Sequence, residues 1–271
     1  MVANPRTPGP DRLGPIDAPG APTTGTTWRG PALVGVGVGP GDPELLTLKA
    51  LRCLEAADVV IAPVAAGNES TGRAEAIVAA VVSDLPIERH PFPMVRDPAA
   101  RQAAFASAAD AIAAHLDEGR LVAFITLGDP SVYSTFPSVA AAVRDRRPEA
   151  AIACVPGIMA VQALAANTGT VLTDGTETLV LTTALGDDAM VHAALDDPTC
   201  AVAIYKVADR LPEIVAAAAA RGRADLAVFG QHLGLAGERM APVGELDGSG
   251  APYLSTVLVP PTDRRPDGGL R

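Results

Sequence analysis

Val34-Gly35-Val36-Gly37-Val38-Gly39-Pro40-Gly41-Asp42-Pro43 joins an apolar run to a helix-like stretch. Further on, Val122-Ala123-Phe124-Ile125-Thr126-Leu127-Gly128-Asp129-Pro130 repeats the arrangement. In open parallel sheets, ligands bind beyond the carboxyl ends of the strands, so two such turns imply loops facing one crevice. The ligand is not a dinucleotide. A third glycine of G-x-G-x-x-G would fall on Pro40, Asp42 or Glu44 in the three possible registers. Asp42 reads as a helix N-cap, Pro43 fits the first helical position, and Glu44 stands in the first turn. These acids occupy the positive helix end that a phosphate would need. No Gly-Lys-Ser/Thr follows, so a Walker loop is excluded as well. A neutral or cationic nucleoside-like ligand fits better, S-adenosylmethionine among them; both loops also read as simply capped turns.

Outward from these turns the pattern alternates. Strands are expected at Ala32–Val38, Asp58–Ala62, Arg120–Leu127 and Ala151–Val155. Helices are expected from Pro43 to about Ala56, and over Glu69–Val82, Pro98–Glu118 and Ser131–Arg146. Short apolar strands separated by helices imply parallel pairing with helices on both faces. Pro156-Gly157 then interrupts, and a helix runs through Ala166. Strands at Thr178–Thr183, Ala201–Lys206, Leu226–Phe229 and Tyr253–Val259 follow, with helices near Asp187–Leu195 and Leu211–Arg221. The fold class is therefore α/β with two domains, 31–155 and 156–260. Residues 1–30 hold six prolines, five glycines and five threonines, and read as a disordered extension. Residues 261–271 read as a loose tail.

The chain has 271 residues, enough for a substantial core. With 48 % hydrophobic residues and 3 % aromatics, that core is built mostly from Ala, Val and Leu. No apolar stretch reaches the roughly 18–20 residues of a membrane span. A secretory signal pattern is lacking, so the chain reads as cytoplasmic. The net charge of −10 offers no basic footprint for nucleic acid. Cys53, Cys154 and Cys200 are scattered, and the four histidines show no ligand spacing. Neither a disulfide framework nor a protein-bound metal is expected.

The stretch Gly35 to Ala50, reading GVGVGPGDPELLTLKA, resembles the opening motif of the tetrapyrrole methylase superfamily. Three further segments narrow the likeness: Phe92-Pro93-Met94 with Arg96-Asp97, Thr126 to Phe136, and Tyr253-Leu254-Ser255-Thr256. Val155-Pro156-Gly157-Ile158 and Tyr205-Lys206 follow in the expected order. Over roughly residues 31–260 the combination resembles the precorrin-2 C20-methyltransferase family. That resemblance implies two α/β domains, the N-terminal sheet mainly parallel and the C-terminal one mixed, with the cofactor cleft between them, usually in a homodimer. It implies S-adenosylmethionine as methyl donor and a small-molecule tetrapyrrole, precorrin-2 or its cobalt complex, as acceptor.

Cofactor contacts implied by the resemblance fall on Pro40, Leu127, Gly128, Asp129, Val132, Met159, Ala160, Tyr205 and Lys206. Position 159 is often threonine in relatives, and methionine there would keep a backbone contact but no hydroxyl. Asp129 reads equally as a polar cofactor contact and as a loop-fixing cap. Ser131, Tyr133 and Ser134 are candidates for the substrate, or else they line the first helical turn. The acceptor carries eight carboxylates, for which guanidinium groups are the natural partners. Arg96 is the main candidate, with Arg73, Arg89 and His90 behind it. Related uroporphyrinogen III methyltransferases have an aspartate after the second strand. Here that stretch is Ile61-Ala62-Pro63-Val64, so a proton-transfer role is not carried over and no catalytic residue is assigned.

Overall fold

The computed structural model describes residues 28, 30–65, 71–93, 97–186, 188–246 and 249–262. The chain forms two compact units that part between Ile158 and Met159, where the sequence reading divided it after Val155.

In the first unit β1 (Ala32–Gly37), α1 (Leu48–Ala56), β2 (Val59–Ala65), α2 (Arg73–Ala79), β3 (Ile87–Phe92), α3 (Pro98–Asp117), β4 (Leu121–Thr126), α4 (Phe136–Arg146) and β5 (Ile152–Val155) follow one another. All five strands are parallel, in the order β3-β2-β4-β1-β5. The two central strands are buried at every residue, as an apolar β-branched run between two helical layers requires. Leu33, Ile61, Val122 and Phe124 pack on one face against Ile112 of α3 and Phe136 and Val139 of α4. On the other side α1 touches β1 and β4, and α2 touches β2 and β4.

Several elements differ from the sequence reading. Pro43–Leu45 is a single 3-10 turn; Leu46 is extended, and α1 starts afresh with Thr47 accepting the Ala50 N–H. Likewise Asp129-Pro130 does not open a helix at Ser131, since α4 begins only at Phe136. Strand β3 was not expected: Glu88, Arg89, His90 and Pro91 break the apolar pattern, which only an edge strand tolerates. The extension 1–30 lies outside the described residues except for Trp28 and Gly30. Trp28 is buried, with the Lys49 ammonium 5.7 Å from its ring centroid, so the first unit's packing begins before residue 31. Of the tail, residues 263–271 lie outside the described part, while Pro261 is buried.

The second unit contains α5 (Ala160–Thr168), β6 (Thr178–Thr183), α6 (Asp188–Asp196), β7 (Cys200–Tyr205), α7 (Leu211–Ala219), β8 (Val228–Gln231), β9 (Arg239–Pro242) and β10 (Ser255–Val259). Its sheet order is β6-β7-β10-β8-β9, with β6 and β7 parallel and the remaining pairs antiparallel. Strand β9 was also missed, being a four-residue edge strand of Arg-Met-Ala-Pro. Arg223 is buried at the base of this sheet. Its guanidinium donates to the carbonyls of Leu195, Asp197, Cys200 and Pro260, replacing the water it gave up.

Candidate active site

At the carboxyl ends of β1, β4 and β5, three loops cross without side chains between them. The Val38 N–H donates to the Thr126 carbonyl (3.0 Å) and the Gly128 N–H to the Gly39 carbonyl (2.8 Å). A Cβ on Gly37 would stand 2.5 Å from the Gly128 oxygen, and one on Gly157 would stand 2.0 Å from it. Only glycine fits either place. Gly39 and Gly128 have φ of 82° and 65°, in the left-handed region where glycine is unstrained.

Asp129 ties this crossing together. One carboxylate oxygen, Oδ1, accepts the Ser131 N–H (2.8 Å) and the Ser131 hydroxyl (2.5 Å). The other, Oδ2, accepts the Gly157 N–H (3.0 Å), 28 residues along the chain. The fixing role is therefore fully occupied by the chain itself. Beside it on β5, burial and then the Asp129 charge push the Cys154 thiol up to about 11. Pro40 is buried in the first loop, whereas Leu127, Gly128, Asp129 and Val132 are half-buried in the second.

Past Asp129 the loop is held at both ends. Ser134 Oγ lies 3.1 Å from the Thr126 hydroxyl and accepts the Phe136 N–H at 3.0 Å. Between these ties Tyr133 takes a φ of 49° and is 46 % exposed. A left-handed tyrosine is strained, and strain of this kind gathers at functional sites. Partial burial pushes the phenol's pKa above its ordinary range.

The cationic candidates fare differently. Arg96 lies outside the described residues. Arg89 makes a bidentate pair with Glu75 (2.8 and 2.6 Å), which holds the Glu75 carboxyl below its usual range. His90 is 2.9 Å from Glu88, whose other oxygen meets His115. Both groups are thus engaged by the chain's own acids, while Arg73 is exposed at the start of α2.

The remaining candidates lie in the second unit. The Met159 N–H donates to Gln162 Oε1 (2.9 Å), and the Met159 carbonyl accepts from Gln162 and Ala163. Both backbone groups of Met159 are therefore used within the first turn of α5. The Tyr205 hydroxyl accepts the Val161 N–H of that turn at 3.3 Å. Lys206 follows with a φ of 58°, and its ammonium lies 5.3 Å from the Tyr253 ring centroid. Ala160 starts the helix. The paired use of Thr126 and Ser134, and of Asp129 and Gly157, was not read from the sequence, because no local pattern links residues 8 or 28 positions apart. Among the described residues no group of three His, Cys, Asp or Glu side chains is placed to hold a metal ion, and no helix is long and apolar enough to cross a membrane.

A family model for Tetrapyrrole (Corrin/Porphyrin) Methylases matches residues 32–247. The chain belongs to the tetrapyrrole methylases. This methylase is 34 % identical over 244 residues to a precorrin-2 C(20)-methyltransferase of Sinorhizobium sp, covering 86 % of the chain and 97 % of the relative. It is 30 % identical over 234 residues to the cobalt-precorrin-2 C(20)-methyltransferase of Salmonella typhimurium, covering 84 % and 95 %. The fold matches the uroporphyrin-III C-methyl transferase of Thermus thermophilus, solved with S-adenyl homocysteine. The TM-score is 0.58 at 21 % identity, over 84 % of the methylase and 97 % of that chain.

Proposed function

We propose that this methylase transfers a methyl group from S-adenosylmethionine to C20 of precorrin-2, giving precorrin-3A on the route to cobalamin. The observation that carries the choice of acceptor is the likeness to two proteins named for C20 methylation, each matched over at least 84 % of both chains. Relatives named for precorrin-2 and for cobalt-precorrin-2 both match, so the cobalt complex is the alternative acceptor; any cobalt would belong to the substrate.

The first unit's loops suit a donor without phosphate. Asp42 Oδ1 already accepts the Glu44 N–H (2.9 Å), and Ser134 closes the first turn of α4. The first turn therefore has its N–H groups taken, and Ser134 takes the first N–H of α4, leaving less of what phosphate binding uses. What the loops offer is a glycine-lined backbone surface at the carboxyl ends of β1 and β4, with acids nearby to favour a cation. When bound, the donor supplies an electrophilic methyl group on a sulfonium. The chain's own task is alignment, which can contribute about 7–11 kcal/mol when the reacting atoms are well placed. Asp129 fixes the second loop to the Gly157 turn, and the Gly128 N–H ties the first loop to the second. We assign Pro40, Leu127, Gly128, Asp129, Val132, Met159, Ala160, Tyr205 and Lys206 to the donor, and Arg96, Ser131, Tyr133 and Ser134 to the acceptor. The reading includes a cytoplasmic homodimer without nucleic-acid or membrane partners, in keeping with the net charge of −10.

Incubation with carbon-13 methyl-labelled donor and precorrin-2, with and without cobalt, tests the proposal. One labelled methyl at C20 is expected. Label at another ring carbon, or none with both ligands bound, would overturn it.

A further inference from the structure

The carboxyl ends of β7 and β8 and the start of β10 meet at one edge of the second sheet. There the Lys206 N–H donates to the Ser255 carbonyl (2.8 Å) and the His232 N–H to the Leu254 carbonyl (3.0 Å). Lys206, Ala208 and His232 have φ of 58°, 41° and 48°. Among the described residues they are three of the five non-glycine positions with left-handed backbone. Strain gathered at one sheet edge persists only where the surroundings fix it, and it marks sites more often than scaffolding.

His232 carries a second anomaly. Its Nε2 is buried and has no hydrogen-bond partner among the described residues. Arg223 Nε shares that state, but the other nitrogens of that guanidinium are spent on carbonyls, so Arg223 is a structural tie. No such account covers His232. The acid of its own loop, Glu238, accepts the Gly234 N–H (3.1 Å), and the Gln231 amide reaches the Gly237 carbonyl. A buried polar nitrogen without a partner needs one from outside the chain.

We propose that His232 Nε2 donates to a ligand carboxylate at this edge. The charges of the second unit direct the choice. A cation, the Lys206 ammonium over the Tyr253 ring beside Leu254, stands on the same edge as the imidazole. The inference rests on the function proposed above, in which both ligands carry carboxylates: the methionine carboxylate of the donor and the acid side chains of the tetrapyrrole.

His232→Gly removes the imidazole while favouring the left-handed backbone, so the variant keeps its fold, with a melting temperature no lower than wild type. Two arms separate the sources. For a donor carboxylate, calorimetry shows S-adenosylhomocysteine binding weakened about ten-fold or more, with its decarboxylated analogue unaffected. For an acceptor carboxylate, the KM for precorrin-2 rises by a similar factor while donor affinity stays within about two-fold. Wild-type affinity for both ligands in His232→Gly, or a fallen melting temperature with unchanged affinities, overturns the inference. Failure of the wild-type protein to bind either ligand would instead overturn the function on which it rests.

Discussion

The two Gly-Asp-Pro turns share a tripeptide and a position after a parallel strand, yet their aspartates do different work. Asp42 makes one local bond, to the N–H of Glu44, and caps a single 3-10 turn. Asp129 holds Ser131 with one oxygen and the distant Gly157 with the other. The left-handed glycine also shifts, from Gly39, three residues before Asp42, to Gly128, directly before Asp129. The tripeptide therefore sets a local turn, and the third chain crossing decides whether that turn becomes a structural joint. The Gly157 loop passes close to both turns, but it is the Asp129 carboxylate that takes its N–H.

The largest effect is expected from closing that crossing. Gly157→Ala puts a methyl 2.0 Å from the Gly128 oxygen, and should cost about 3 kcal/mol or more in chemical denaturation. A near-wild-type midpoint would break the account of the crossing. Asp129→Ala comes next, leaving the Gly157 and Ser131 donors unanswered, at about 2–3 kcal/mol by the same measurement. Asp42→Ala should cost only about 0.5–1 kcal/mol, the worth of a cap. Equal losses for the two aspartates would erase the difference between the turns. Smallest of all is the electrostatic effect on Cys154, whose thiol is raised mainly by burial and secondarily by Asp129. Asp129→Asn should lower that pKa slightly and speed thiol labelling at alkaline pH by less than about three-fold. A larger change would mean that the substitution had opened the crossing.

The parts of the fold that were legible are those where burial dictates the residue type. Leu121–Thr126 and Cys200–Tyr205 are largely apolar because they lie inside a sheet, and both were read within a residue of their ends. Ile87–Phe92 was not legible, because an edge strand paired on one side tolerates Glu88, His90 and Pro91. At the site, the Asp42 cap was legible, since capping is a local property. The joint at Asp129 was visible only as two alternatives, because its deciding partner, the Gly157 N–H, carries no side-chain signature. His232 was one of four histidines without ligand spacing until its backbone and its buried nitrogen were seen together.

The central claim is that Asp129, and not Asp42, fixes the geometry of the proposed donor platform to which both turns contribute. Its most direct test is calorimetric titration of S-adenosylhomocysteine into the wild-type protein, Asp42→Ala and Asp129→Ala, all at a temperature where each is folded. The account predicts binding by the wild-type protein, affinity within about two-fold for Asp42→Ala, and a loss of about ten-fold or more for Asp129→Ala. Equal affinities for the two variants, or a greater loss at Asp42, would contradict it.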